Sequence, residues 1–379
     1  MHVTRLELRG LRRFGEVRLD PAPGLNLITG DNGAGKTSVL EALHLMAYGR
    51  SFRGRVRDGL IRAGEPALEV FVEWLETVGA VSSATAVAEP QAGYRRARKA
   101  GLRHSGQDWT GRLDGAPVAH LGELCAALAV VSFEPGSHAL VTGGGETRRR
   151  YLDWGLFHVE LGFMPQWRRY ARALKQRNAL LKARVRDGQL DAWDHELADA
   201  GEPLSRRREQ YLEALQPRFA ALLAELAPAL GASRLDYLPG WRRDELPLDD
   251  ALLLARERDL AAGYTTVGPH RADWRIAFGA LPGREALSRG QAKLTALAAL
   301  LAQAEHHAQL RGEWPVIALD DLASELDRQH QARVLARLLA SGAQVFITGT
   351  EAPPALAALG AVVHRFHVEH GELGRLPGG

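Results

Sequence analysis

The segment GDNGAGKT, Gly30 to Thr37, fits the phosphate-binding loop pattern G-x-x-x-x-G-K-[S/T] at every fixed position. Its setting agrees. Leu25, Leu27 and Ile28 form a short apolar strand ahead of it, and Val39, Leu40, Ala42, Leu43 and Met46 follow at helical spacing. Gly30, Gly33 and Gly35 let the backbone curl so that its N–H groups, Asp31, Asn32 and Ala34 included, line one concavity. The helix N-terminus adds partial positive charge at the same spot. Lys36 is expected to reach the β- and γ-phosphates as a catalytic cation, and the Thr37 hydroxyl to ligate Mg²⁺. A Gly-rich turn with a chance Lys-Thr is the competing reading; the flanking strand and helix weigh against it.

At 379 residues, with 46% hydrophobic and 25% charged residues, the chain has length for two or three globular units with ample cores. No stretch approaches the roughly 18 apolar residues that cross a bilayer. The opening Met-His-Val-Thr-Arg-Leu-Glu alternates like a strand and lacks a secretory apolar core. Cys125, the single cysteine, sits among Leu124, Ala126 and Leu128 and reads as a packed thiol rather than a nucleophile. A cytoplasmic location without a membrane partner is expected. The formal net charge is +3 and the sequence pI ≈ 9.1, but the charges are unevenly spread. Between Pro165 and Arg186 stand Arg168, Arg169, Arg172, Lys175, Arg177, Lys182, Arg184 and Arg186 with no acidic residue; Arg95, Arg96, Arg98, Lys99 and Arg103 cluster near Tyr94. Such runs are most often solvated faces. Two of them beside a nucleotide loop raise the case for a polyanionic partner.

To about Phe133 the chain reads as strands and short helices: Leu68, Val70 and Val72 alternate with Glu69, Phe71 and Glu73, and Leu128 to Val131 is a short buried strand. The tract from Gly79 to Ser105 reads as hairpin strands with loops. From Thr147 to Asp259 the period changes. Trp167, Tyr170, Leu174, Leu181 and Val185 mark one helical stripe, and after a turn at Asp187-Gly188 the residues Trp193, Leu197, Ala200, Leu204, Tyr211, Leu215, Phe219, Leu222 and Leu226 continue it. This describes an antiparallel helical hairpin whose second helix Gly201 and Pro203 must break or kink. After Tyr264 the α/β pattern returns, with Trp274, Ile276 and Phe278 alternating, an Ala/Leu-rich helix from Lys293 to Ala308, and short buried strands at Val316 to Leu319 and Val345 to Ile347. The expected division is 1–146, first part of a nucleotide-binding head; 147–259, an inserted helical arm; and 260–379, the rest of the head.

Val316-Ile317-Ala318-Leu319 runs into Asp320-Asp321, the Walker B arrangement of an apolar strand ending in carboxylates. Asp320 is the expected Mg²⁺ ligand, directly or through water, and Asp321 the catalytic residue that orients or deprotonates the attacking water. Leu287-Ser288-Arg289-Gly290-Gln291 ahead of an apolar helix resembles the LSGGQ signature of ATP-binding-cassette ATPases. Ser288 caps that helix or contacts a γ-phosphate, and Gly290 allows close approach. In that superfamily the signature completes the ATP site of the opposite subunit, which implies an ATP-dependent homodimer. Ser324-Glu325-Leu326-Asp327 follows at the D-loop position, and Thr348 at the switch position where transporter-type ATPases carry His; Glu134 to Ser137 matches the Q-loop by position alone. The expected fold is α/β, an ABC/SMC-type P-loop ATPase head with an inserted α-helical hairpin domain.

The whole chain resembles the RecF family of bacterial recombination mediators, which are related to SMC heads. The segments GLNLITGDNGAGKTSVLEALHLMAYGRSFR (Gly24 to Arg53), TGGGETRRRYLDWGLFH (Thr142 to His158), KQRNALL (Lys175 to Leu181), TVGPHRADWRI (Thr266 to Ile276), LSRGQ and LDDLASELD carry the likeness. The Arg148 to Asp153 block and Gly268 to Arg271 are its most specific parts. The resemblance implies an ATP- and Mg²⁺-dependent DNA-binding protein of repair and replication restart, acting at single-strand gaps and their junctions. It would work with RecO and RecR to help load RecA and support SOS induction. ATP would join two heads and slow hydrolysis would release them. Arg148 to Arg150 and the hairpin arginines are candidate DNA-phosphate contacts. A transport-type ATPase subunit is the main rival, opposed by the helical insertion, Arg289 and the basic clusters. A structural SMC-like DNA-bridging module is the second, opposed by the shortness of the arm.

Overall fold

The computed structural model describes residues 1–53, 59–78, 94–185 and 188–376. By internal packing the chain divides into two units, Met1–Ser137 with Ala304–Gly379, and His138–Gln303. The first unit opens with strands β1 (His2–Leu11), β2 (Phe14–Leu19) and β3 (Leu25–Thr29) and helix α1 (Lys36–Tyr48). It continues through β4 (Leu68–Val78), β5 (Tyr94–His104), β6 (Trp109–Leu113), β7 (Ala116–Pro117), α2 (Gly122–Ala127) and β8 (Val130–Phe133). An antiparallel sheet in the order β2-β1-β4-β5-β6-β7 results. Along β4, Leu68, Val70, Val72 and Trp74 are buried and Glu69, Phe71 and Glu73 half-exposed, as their alternation requires. The outer acids face the basic cluster of β5 across the ladder: Glu69 pairs with Arg103 at 3.2 Å and Glu76 with Arg98 at 3.4 Å. That run is a sheet face with its own counter-charges. Of the tract expected as hairpin strands, Gly79 to Ser105, the described part is the one strand β5, paired with β4 and β6; residues 79–93 lie outside the described residues.

The second unit begins with α3 (Ala139–Thr142), α4 (Gly145–Val159), α5 (Phe163–Lys182) and α6 (Gly188–Leu226). It ends with β9 (Ser233–Leu238), α7 (Leu248–Ala262), β10 (Asp273–Phe278) and α8 (Arg289–Arg311), the last continuing into the first unit. Gln166 bonds the Ala200 carbonyl, Arg169 pairs with Glu196 and Arg177 with Asp194, a reversed order that makes α5 and α6 antiparallel. The chain turns after α5 at residues 183–185; of the expected turn Asp187-Gly188, Gly188 begins α6, and Arg186 and Asp187 lie outside the described residues. Tyr170, Leu181, Leu197, Leu204, Tyr211, Leu215, Phe219, Leu222 and Leu226 are buried as their spacing demands, whereas Trp167 is 38% exposed. Of the expected break or kink, the break does not occur: α6 is one continuous helix through Gly201 and Pro203. Packing outweighs the lost hydrogen bond there. A Cβ on Gly201 would stand 2.5 Å from Leu248 and 3.1 Å from Tyr170, so the glycine serves close approach.

The chain returns to the first unit through β11 (Val316–Leu319), α9 (Leu322–Glu325), α10 (Arg328–Ser341), β12 (Val345–Gly349), α11 (Pro354–Ala358), β13 (Val363–Glu369) and β14 (Glu372–Arg375). These complete a sheet in the order β14-β13-β3-β12-β11-β8, parallel from β13 to β8. Strands β3, β12, β11 and β8 are near-continuous apolar runs because both faces are covered. One hydrophobic core joins Leu8, Val70 and Trp74 of the antiparallel sheet, Leu40, Leu43 and Met46 of α1, and Ile28, Val316 and Phe346 of the parallel sheet. Helix α1 is therefore buried nearly all round. Cys125 is partly buried, and burial pushes its thiol up to about 11, in keeping with an inert packed group.

Candidate nucleotide-phosphate site

The register of the parallel sheet brings three chain segments to one edge. Ile347 pairs with Leu27 and with Leu319, so the residues after β3, β11 and β12 emerge together at the carboxyl ends, where open α/β sheets bind ligands. From β3 comes the loop Gly30 to Gly35. Gly30 has φ 149°, and a Cβ there would stand 2.2 Å from the Val368 carbonyl oxygen; Gly35 has φ 125°, and a Cβ there would stand 3.0 Å from the Phe14 ring. No side chain caps α1, which leaves its N-terminal N–H groups to an anionic ligand. Asp31, Asn32 and Gly33 are exposed on the loop while Ala34 is buried beneath it. Lys36 folds over the loop, its ammonium donating to the carbonyls of Gly30 at 2.7 Å and Asp31 at 2.8 Å.

From β11 and β12 come Asp320, Asp321 and Thr348. The Thr37 hydroxyl donates to Asp320 Oδ1 at 2.9 Å across 283 residues of sequence, and the Thr348 hydroxyl donates to the same oxygen at 2.6 Å. Burial raises the Asp320 carboxyl above its ordinary range. The two hydroxyl bonds and the nearby Arg53 charge oppose that shift, and Asp321 adds to it. Among the described residues no group of three or more His, Cys, Asp or Glu gathers to cage a metal. A Mg²⁺ ion, which favours oxygen donors, phosphate and water, would find one hydroxyl and one carboxylate here. Thr37 and Asp320 are the residues that fit it. Asp321 adopts φ 51°, ψ 45°, a left-handed conformation uncommon outside glycine.

Three arginines that motif reading missed share the cleft. Arg12, Arg13 and Arg53, with Lys36, Thr37 and Ser38, border a space of about 210 Å³. Arg12 and Arg13 form the β1–β2 turn and Arg53 follows α1, so only the folded chain brings them to the loop; the sole local hint was the GRSFR end of the family-like segment. Glu41, fully buried in α1, accepts from Arg12 and from the Ser51 hydroxyl, and Ser51 in turn accepts from the Arg53 N–H at 2.9 Å. One carboxylate thus tethers both segments.

The signature residues lie in the second unit. Ser288 N-caps α8: its hydroxyl accepts from the Gln291 N–H at 3.2 Å, and its own N–H donates to Gln291 Oε1 at 2.9 Å, a reciprocal capping box. Ser288, Arg289 and Gly290 are exposed, with open space around Gly290. Glu134 follows β8, whose Phe133 pairs with Leu319, so it stands one strand from Asp320. Asp327 caps α10 through the His330 N–H at 3.0 Å.

The basic residues need a correction. Arg148 is 2% exposed, bound to Asp273 at 2.6 and 2.9 Å and to the Gly143 carbonyl at 2.8 Å. Arg177 is fully buried against Asp194, Asp259 and Thr265. Arg149 donates to the Ala272 carbonyl, and Arg150 pairs with Glu146. The blocks most specific in sequence thus hold the second unit together. A charge in sequence does not say whether its partner is solvent or a buried carboxylate. Arg172, Lys175 and Lys182 do stand exposed on α5, facing away from buried Tyr170, Ala173 and Leu181. Arg169 is paired with Glu196 and Asp199.

The family described as RecF/RecN/SMC N terminal domain matches residues 2–372. The DNA replication and repair protein RecF of Stenotrophomonas maltophilia (strain R551-3) is 68% identical over 377 residues, covering 100% of both chains. A solved structure of the recombination mediator protein RecF-ATP in the RecFOR pathway superposes with a TM-score of 0.84 at 26% identity, over 99% of this chain and 98% of that one. An SMC head bound to the C-winged helix domain of ScpA, 17% identical, shares the fold with a TM-score of 0.59 over 99% of this chain and 97% of that chain. The α/β fold is that of an ABC/SMC-type ATPase head, and the chain belongs to the RecF family.

Proposed function

We propose that this chain is an ATP-dependent DNA-binding protein of recombinational repair and replication restart, acting at single-strand gaps and their junctions. The observation that carries the reading is the convergence of Lys36, Thr37 and Asp320 beside an uncapped helix N-terminus, in a chain whose near relatives are named for DNA replication and repair. The loop amides and Lys36 hold the triphosphate. Thr37 and Asp320 hold Mg²⁺, whose charge offsets that of the phosphate oxygens. Asp321 orients or deprotonates water for a slow, DNA-stimulated hydrolysis. Ser288 and Gly290 clasp the nucleotide of a second copy, so that ATP favours a dimer and hydrolysis releases it. In this reading the head comprises 1–146 and 260–379, and the arm 147–259.

DNA phosphates meet the exposed α5 face that carries Arg172, Lys175 and Lys182. The partners are RecO and RecR, the outcome is recombinase loading and SOS induction, and the location is the cytoplasm. Among the described residues no helix is long and apolar enough to cross a membrane. The test is a titration of gapped, single-stranded and duplex DNA with and without ATP·Mg²⁺ over a series of salt concentrations. The reading expects ATP-enhanced binding, tightest at gaps, that weakens steeply with salt. Binding indifferent to ATP would overturn it.

A further inference from the structure

The Thr348 hydroxyl bonds two different partners. It donates to Asp320 Oδ1 at 2.6 Å and accepts from the Asp321 N–H at 2.9 Å. A hydroxyl has one proton to give and lone pairs to receive, so this group serves the acidic pair in both capacities. Thr348 is 1% exposed in β12, where its branched Cβ restricts rotation, and so its hydroxyl is held in place. Asp321 meanwhile sits at φ 51°, ψ 45°. Both sides of that residue are tied: the N–H to Thr348, and the carbonyl to the Ser324 N–H at 2.9 Å, the Glu325 N–H at 3.2 Å and the Ser324 hydroxyl at 3.0 Å. A sparsely populated backbone state persists where its surroundings over-determine it, as here.

We propose that Thr348 is a positioning residue for hydrolysis, fixing the Asp320 carboxylate and the left-handed turn that aims Asp321 through one hydroxyl. This rests on the proposed function, and it assigns to the switch position a task other than contact with phosphate: the hydroxyl is spent inside the Walker B turn. Val at this site keeps the shape and loses both bonds; Ser keeps the hydroxyl on a freer side chain.

The test compares Thr348→Val and Thr348→Ser, each alone and in an Asp321→Asn background, for kcat, KM and affinity for a non-hydrolysable ATP analogue, together with hydrogen exchange at the Asp321 amide in the nucleotide-free protein. Thr348→Val is expected to lower kcat by about a hundredfold, with analogue affinity within about threefold of the parent and faster exchange at Asp321. Thr348→Ser recovers most of kcat. In the Asp321→Asn background Thr348→Val costs clearly less in kcat than in the parent, because the part that acts through Asp321 is already lost and only the bond to Asp320 remains to lose. Unchanged kcat, an equal loss in the Asp321→Asn background, or analogue binding lost in parallel would each overturn the proposal. Lys36→Ala run alongside separates the two readings: if it binds the analogue normally, the nucleotide site itself is wrong.

Discussion

Glu41 and Arg12 form a two-pronged ion pair beside the phosphate cleft: the guanidinium Nε and Nη2 lie 3.0 and 2.8 Å from the carboxylate oxygens, and Glu41 is fully buried. Removing one partner of such a pair leaves the other charge uncompensated. Glu41→Ala is therefore expected to destabilise the protein by about 3 kcal/mol. It also frees the segments carrying Arg13 and Arg53, so nucleotide affinity falls beyond what stability explains. Urea unfolding and a nucleotide titration below the transition check both parts. A shift of the midpoint worth less than about 1 kcal/mol would show the pair to be as weak as a surface one.

Lys36 bonds loop carbonyls, those of Gly30 and Asp31, and anchors no packed element. Lys36→Ala should abolish ATP binding while leaving the thermal midpoint within a few degrees of the parent. Fluorescent nucleotide titration and a thermal melt decide it. Loss of binding together with collapse of the melt would instead make Lys36 a structural residue.

How much of this was legible beforehand follows from the range of each interaction. The loop Gly30 to Thr37 declares itself because its chemistry is local, held in one short loop between a strand and a helix. Asp320 was found through the order of motifs, since an apolar strand ending in Asp-Asp is ambiguous until the phosphate loop supplies its partner. Arg12, Arg13 and Arg53 were not found: they reach the cleft through the β1–β2 turn and the segment after α1, which no spacing rule foresees. Arg148 and Arg177 were misread in the other direction. Their acids, Asp273 and Asp259, lie 125 and 82 residues away, so the basic runs looked unpaired. Pro203 does not break α6, because one lost helix bond is outvoted by a well-packed face.

The distinction between buried and exposed arginines of α5 has a direct consequence. Arg172→Glu with Lys175→Glu should weaken DNA binding and lower its salt slope by about 1 for each DNA phosphate no longer neutralised. The melting temperature should not move. Arg177→Ala should cost about 3 to 5 kcal/mol of stability, because Asp259 loses its buried partner. DNA titration at several salt concentrations, with circular dichroism melts of both variants, tests the division. Unchanged DNA affinity in the first variant would return the α5 face to ordinary solvation.

Ser288 caps α8 and is exposed, so a bulky cation there changes the surface more than the fold. Ser288→Arg forfeits the capping box, worth about 1 kcal/mol, and leaves the phosphate loop untouched. ATP binding should persist and ATP-dependent dimers should fail to form. Sedimentation of the ATP-bound variant reads the outcome directly; normal dimers would show that the signature helix does not close the site of a second copy.

His270 gives the second unit a pH response of definite sign. Tyr170 OH lies 2.7 Å from its Nδ1, and its Nε2 lies 2.9 Å from the Thr265 carbonyl, which can only accept; Nε2 therefore carries the proton and Nδ1 receives the Tyr170 hydroxyl. Burial, helped by the charges of Arg271 and Arg149, pushes the imidazole down to about 4, against the pull of the Thr265 carbonyl and Asp259. The unfolded chain takes up this proton near pH 6.5, the folded one not until about 4. Between those values the unfolded state binds more protons. The stability that the neutral ring contributes is complete above pH 6.5 and is lost as pH falls toward 4, at no more than about 1.4 kcal/mol per pH unit. His270→Gln removes the titration, so its stability should fall less steeply over that window while starting lower near neutral pH. Urea midpoints measured from neutral pH down through that window for both proteins give the difference, and parallel curves would mean that His270 is protonated as readily in the folded protein as in the unfolded chain.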